Sequence, residues 1–430
     1  MTFLVRTPRI CSSTLRTQHL RLETADLLLR VPLCGIVLLA VLSVAGMIAP
    51  PIPAAAETLS YRPTDPLNVT AFDHFYNLDY DRAVQEFEQI AARHPDDPFA
   101  VNHLLTAVLF RELYRIGALN SGDFANDSFI HAAHSPADPK VQQRIKDLVQ
   151  RALDLEEKRL AANPKDVDAL YARGVTRAQF ATYTALVERA WFSALRNALG
   201  ARHDHERVLE LAPGDVQAKL IVGAHNYVLG SLPWGIKVAA AMVGLGGNKQ
   251  KGIEYLQECA EGKGETSVDA KILLVVFLRR EGRNEEALAV ARDLLASYPR
   301  NALMALEEGN LLRSLGRPQE AAAAYRKVWQ AGQENFYPGT VYQSAALSLG
   351  DLLRTQKDYT GAAAAYELMS HAARPDPDVL QRANLGAGEM YDQLQKRDQA
   401  VAKYQAVIAA NANTLPAEVA RKHVKDAYRE

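Results

Sequence analysis

The chain has 430 residues, 48% of them apolar, enough to bury a substantial core. Its 49 basic residues against 50 acidic ones leave a formal net charge of -1, which excludes the basic excess of a dedicated nucleic-acid binder. Strong helix formers are abundant and β-branched runs are short beyond the N-terminal region, so an all-α fold is expected.

Residues 1–56 read as a targeting segment. Arg6, Arg9, Arg16, Arg21 and Arg30 outnumber Glu23 and Asp26 ahead of an apolar run over residues 31–49. Pro50, Pro51 and Pro53 then break the run, and Ala54, Ala55 and Ala56 supply a small-residue cleavage site. That order describes a secretory signal cleaved after Ala56 or, because a run of roughly 20 residues can span a bilayer, a retained N-terminal anchor. Either outcome puts the body in the periplasm or cell envelope of a bacterium, inner-membrane anchored in the second case. Of the three cysteines only Cys259 lies beyond this segment. No internal disulfide can staple the body, and Cys259 is expected as a small core residue.

Residues 57–262 read as a divergent helical repeat region. Asn163-Pro164 and Ala212-Pro213 mark unit ends, each followed by a helix containing Gly174 or Gly223. Residues 177–211 predict unusually long helices. Residues 117–139, rich in Gly, Asn, Asp, Ser and Pro with little periodicity, predict an insertion loop.

Residues 263–430 repeat themselves. Ala287, Ala321, Ala362 and Ala400 head similar alanine-rich segments at separations of 34, 41 and 38 residues. Gly309, Gly350 and Gly388 each precede their alanine by 12 residues, and Tyr325, Tyr366 and Tyr404 each follow it by four. Gly309, Leu312, Ala321, Tyr325 and Val328 set the pattern, repeated by Gly350, Leu353, Ala362, Tyr366 and Met369 and by Gly388, Tyr391, Ala400, Tyr404 and Val407. Ala287, Ala291, Leu294 and Pro299 fit more loosely, with Val275 in the glycine's place; Ala83, Phe87, Ile90 and Pro95 form a further match near the front. The expected logic is that glycine meets alanine where two helices approach closely, the aromatic filling the space beside them. A charged helix over residues 416–428 is expected to cap the array with a polar face.

This pattern resembles the tetratricopeptide repeat family, whose unit is a 34-residue helix-turn-helix. The resemblance implies a right-handed superhelical solenoid of five to eight antiparallel helix pairs. A second resemblance, to the eukaryotic inclusion-body-clearance branch of that superfamily, rests on Pro233, Trp234, the glycines Gly244, Gly246 and Gly247, and the helix start Gly252-Ile253-Glu254-Tyr255-Leu256. Neither implies enzymatic activity or a cofactor. The glycine-rich turn lacks the spacing of a phosphate loop.

No residues stand out for catalysis. In the cluster His203-Asp204-His205-Glu206 the two histidines are two apart and would point to different helix faces, so a solvated surface reading of the cluster is favoured. His131 and His134 have chelating spacing but no evident third ligand. The stronger signal is positional: in this family the first helix of each unit lines the concave groove, and four residues beyond the small position stand Arg279, Arg313 and Arg354, with Asp392 in the last unit. Asn310 lies one turn before Arg313. Stacked guanidinium groups would suit the carboxylates of an acidic protein or peptide partner. Against this, arginine at a helix C-terminus is favoured by the dipole, and Asp351 and Glu389 are near enough to pair with these arginines. The expected function is an exported scaffold or adaptor using its concave face. A carrier of lipid or another apolar ligand, suggested by residues 232–245, and a metal-dependent hydrolase are the competing readings.

Overall fold

A computed structural model describes residues 61–119, 135–232, 237, 246–262 and 264–430. The targeting segment, the His131 and His134 pair, and most of the 117–139 loop and the 232–245 stretch lie outside the described residues. Among the described residues there are seventeen α-helices and no strand, as the composition predicts.

They pair as antiparallel hairpins in chain order: α1 (Leu67–Tyr76) with α2 (Tyr80–Arg93), α3 (Pro98–Arg115) with α4 (Pro139–Ala162), and α5 (Val167–Leu186) with α6 (Trp191–Leu211). Next come α7 (Lys219–Ser231) with α8 (Lys249–Glu261), α9 (Ser267–Arg280) with α10 (Asn284–Ser297), and α11 (Ala302–Ser314) with α12 (Pro318–Gln333). The last pairs are α13 (Ser344–Thr355) with α14 (Tyr359–Glu367) and α15 (Pro377–Gln393) with α16 (Arg397–Ala410), closed by a single helix α17 (Leu415–Lys425). Each pair buries too little alone, and stacking on the next builds a core that runs through most of the array, with Ala400, Tyr404, Val407, Ala417 and Ala420 of α16 and α17 forming a smaller cluster of their own. Among the described residues no helix is long and apolar enough to cross a membrane.

Side-chain caps set many helix starts. Asp97, Asp138, Asp166, Asn301, Asp376 and Thr414 each accept a first-turn backbone N–H that the helix leaves without a partner. The turns inside the hairpins share one geometry. Leu78, Gly282, Gly316, Lys357 and Gln395 all have φ between 57° and 74°, and each stands five residues before its unit's repeating alanine. The next N–H bonds back to the first helix, as Arg317 N to Leu312 O at 3.0 Å and Asp79 N to His74 O at 2.8 Å. This left-handed closure is a Schellman motif. It places α1 and α2 in the same repeat register as the C-terminal units, with Ala71 in the small position.

The small residue meets the tyrosine rather than the alanine. A β-carbon on Gly309, Gly350 or Gly388 would lie 2.4, 2.4 or 2.6 Å from the ring of Tyr325, Tyr366 or Tyr404. The alanines Ala321, Ala362 and Ala400 are fully buried beside this contact. Glycine therefore makes room for a ring of its own unit, a different close approach from the one the pattern suggested. In the middle the ring is replaced: Gly174 faces His205, and Gly223 packs directly on α8 at Gly252 and Tyr255.

That replacement corrects the surface reading of residues 203–206. His203 is exposed, but Asp204 and His205 are fully buried. The helices α5 and α6 are 20 and 21 residues long, so this stretch falls where the two pack rather than at an exposed end. Asp204 accepts from Arg173 at 2.6 Å and Arg177 at 2.7 Å, and His205 Nδ1 lies 2.9 Å from the carbonyl of Ala201. Burial holds His205 neutral, its pKa below the usual range. Cys259 is buried as expected, its thiol donating to Val216 O at 2.9 Å, and burial pushes its pKa up to about 12.

The first unit also touches the far part of the array. Tyr76 donates its hydroxyl to Asp269 at 2.6 Å, Asn301 Nδ2 donates to Tyr76 O at 2.8 Å, and Tyr114 donates to Pro338 O at 2.8 Å. A cavity of about 720 Å³ remains between these parts, bordered by Tyr80, Arg111, Leu306, Pro338 and Arg382 among others.

Candidate peptide-binding face

The polar side chains near the C-terminal ends of the first helices recur at matching positions from unit to unit. Each unit's tyrosine anchors one of them: the hydroxyl of Tyr325 donates to Asn310 at 2.8 Å, that of Tyr366 to Asp351 at 2.6 Å, and that of Tyr404 to Asp392 at 2.9 Å. The acceptor sits one residue after the glycine in the first two units. In the last unit the corresponding residue, Glu389, is drawn to Arg354, and Asp392 takes the hydroxyl instead.

Two of the four expected site residues are brought together. Arg279 donates to both carboxylate oxygens of Glu307 at 2.7 Å, and Asn310 Nδ2 donates to the same carboxylate at 3.1 Å. Glu307 is buried, and the pair offsets the desolvation that burial of its charge costs. Arg313 stands apart, exposed on the last turn of α11. None of Arg279, Asn310, Arg313 and Arg354 borders the cavity under the first unit.

Arg354 is the most engaged of the four. One guanidinium nitrogen donates to Glu389 at 2.7 Å, another to Glu430 at 3.1 Å, and the third to the hydroxyl of Tyr428. Burial works against its charge, but the bond to Glu430 and the charge of Glu389 outweigh it and raise its pKa. Burial raises the pKa of Glu389 against the opposing charge of Arg354, whereas Glu430, bonded by Arg354 and Tyr359, is held below the usual carboxylate range.

The sequence missed Tyr428 and Glu430. The capping helix expected through residue 428 ends at Lys425, and Asp426 is extended, with φ of -123° and ψ of 122°. Residues 426–430 then run back over α13 and α15. The signal available was modest: a tyrosine and a glutamate two apart, just beyond a helix whose last turn carries Lys422, His423 and Lys425.

Residues 278–335 match a family described as tetratricopeptide repeat. No curated protein sequence matches the chain. Among solved structures, pilF of Pseudomonas aeruginosa is 16% identical over 61% of this chain and 100% of its own, with a TM-score of 0.36. A tetratricopeptide repeat protein from Parabacteroides merdae is 15% identical over 74% of this chain and 97% of its own, with a TM-score of 0.31. The APC/C hetero-tetramer Cut9-Hcn1 contributes a chain that is 12% identical over 84% of this one and 55% of its own, with a TM-score of 0.42.

Proposed function

We propose that this tetratricopeptide repeat protein is an exported scaffold that holds an acidic, extended segment of a protein partner against the concave face of its first helices. The observation that carries the reading is the recurrence itself. Arginine recurs in register at Arg279, Arg313 and Arg354, and Arg279 and Arg354 already bind carboxylates of this chain, Arg279 through one nitrogen and Arg354 through a different nitrogen for each of Glu389 and Glu430. Arg313 stands between them with its side chain exposed. In this role Arg279 and Asn310 brace the row through Glu307, Arg313 meets the partner first, and Arg354 forms its far end. A guanidinium fork suits a carboxylate better than a lysine would, because two parallel N–H donors fix its plane. Repeat proteins of this family act in general as scaffolds rather than enzymes. The arginine-rich flank and apolar run of residues 1–56 support delivery to the cell envelope.

The test is capture by the immobilised chain from envelope extract of the native host, read by mass spectrometry for proteins and lipids together. The expected result is one protein at near-stoichiometric level, lost at least tenfold with Arg313→Gln while the melting temperature is unchanged. Lipid enriched without protein would overturn the reading in favour of a carrier.

A further inference from the structure

We propose that residues 426–430 fill, in cis, a peptide site on the last two units, and that this site takes extended segments with an aromatic residue two positions before a carboxylate. The inference rests on reading this face as peptide-binding and names the ligand class for one end of it.

The tail is held the way a bound peptide is held. Its backbone is gripped by side chains of α15: Tyr428 N–H donates to Asp392 at 2.7 Å, and Tyr428 C=O accepts from Gln393 Nε2 at 3.4 Å. Side-chain bonds to both main-chain polar groups of one residue recognise an extended chain whatever its sequence. Asp392 is prepared for this, because Arg397 holds its two oxygens at 2.9 and 3.0 Å and Tyr404 donates to it as well. Arg397 also bonds the carbonyls of His423 and Val424, both at 2.7 Å, fixing the point where the chain leaves α17.

Two side chains supply selectivity. The Tyr428 ring lies with its centroid 5.1 Å from the Arg354 guanidinium carbon and 5.3 Å from the His423 ring, which meets it edge-on at 80°. A cation over a ring face and a perpendicular neighbour both favour an aromatic here. The Glu430 carboxylate is held from two sides, by Arg354 Nε at 3.1 Å and by the Tyr359 hydroxyl at 2.9 Å. Between them Arg429 is exposed and makes the unread position.

The occupant is displaceable. No residue of 426–430 belongs to the buried core, and all but Tyr428 are exposed. The segment is joined to α17 without a linker, so its effective concentration at the site is on the order of millimolar. A partner must compete with it. If the tail fills the site in about nine molecules of ten, the apparent affinity for a peptide in trans is about tenfold weaker than the intrinsic one.

The experiment uses a fluorescein-labelled peptide of the sequence Asp-Ala-Tyr-Arg-Glu with an amidated C-terminus, titrated into the full chain by anisotropy. Emptying the site with Tyr428→Ala and Glu430→Ala together is expected to tighten peptide binding about tenfold. Adding Arg354→Gln to that chain is expected to remove the gain, and a peptide with alanine in place of its tyrosine and glutamate should not bind. Hydrogen exchange over α13–α16 checks that the variants stay folded. In the unaltered chain, a fluorine label on the Tyr428 ring should shift to its solvent position as peptide saturates. Equal peptide binding by the emptied and unaltered chains, or an unmoved fluorine signal at saturation, overturns the proposal. If either occurs while Arg313→Gln still abolishes capture of a partner, only the tail assignment fails. If peptide binding holds while capture ignores Arg313, the site stands and the wider scaffold reading fails.

Discussion

Gly350→Ala is the sharpest test of how the units are built. The new methyl carbon would sit 2.4 Å from Tyr366 Cε1 and 2.6 Å from Cδ1. A contact under 3 Å has to be relieved by movement, and the ring has nowhere to go. Its other side is backed by the α15 backbone at Gly386, where a β-carbon would fall 2.7 Å from the same ring. Its hydroxyl is tied to Asp351 at 2.6 Å. Swinging the ring gives up a hydrogen bond to a carboxylate, about 1.5–3 kcal/mol, and overpacking costs about 1–3 kcal/mol more. Alanine returns about 1 kcal/mol of helix propensity. The net expectation is a loss of about 1.5–5 kcal/mol, read from urea unfolding by circular dichroism with hydrogen exchange over α13 and α14. Tyr366→Leu in the same chain should recover part of the loss, so the two changes should be coupled by about 1–2 kcal/mol or more. Gly214, with nothing within 4 Å of a β-carbon and no positive φ, serves as the control; Gly214→Ala should stay within about 0.5 kcal/mol. A neutral or stabilising Gly350→Ala, or strict additivity with Tyr366→Leu, would refute the reasoning.

Two further expectations concern stability. Burial raises Glu156 and Glu265 from 4.5 to about 8, so each is protonated in the folded chain at neutral pH but ionised when unfolded. At these two groups the unfolded state binds fewer protons between about pH 4.5 and 8; below about pH 6.5 the buried His103, His205 and His225, whose pKa values burial lowers, act the opposite way, so the fall in stability, by an order of a few kcal/mol, is expected between about pH 6.5 and 8; urea midpoints from pH 6.5 to 9 should show the slope, and Glu156→Gln with Glu265→Gln should flatten it. Lys357 is exposed with a φ of 60°, so Lys357→Gly should stabilise the α13–α14 turn by up to about 1 kcal/mol in the same unfolding assay, and a clear loss would count against strain there.

The repeat was readable because the same contact recurs. Glycine, alanine and tyrosine hold fixed spacing at Gly309, Gly350 and Gly388 since any larger residue would strike the ring. The hairpin turns carry a glycine at Gly282 and Gly316 but not at Leu78, Lys357 and Gln395, where ordinary side chains take the same left-handed conformation in turns closed by the bonds from Asp79, Asp358 and Lys396 N–H back to the first helix. Asp204 and His205 were misplaced because two-residue spacing says which faces a helix presents, not which of them a neighbouring helix will cover. The arginine row was found from register alone. Its partners were not, because Glu307 and Glu389 occupy different steps of their helices and reach across to the preceding unit. The tail escaped for a related reason: helix propensity continues past Lys425, whereas Asp392, Arg397 and Arg354, which hold the chain there, are brought near only by folding.

The bonds from Tyr76 to Asp269, from Asn301 to Tyr76 and from Tyr114 to Pro338 join positions about two hundred residues apart. An open stack of repeats is a spring: it stretches by small adjustments at every junction, and it can melt from either end. These ties fasten the first coil of the spring to its middle. Extension becomes stiff over that span, and unzipping from the front must first break the clasp. The front half should therefore give way as a block, while elasticity and fraying are left to the units beyond residue 340.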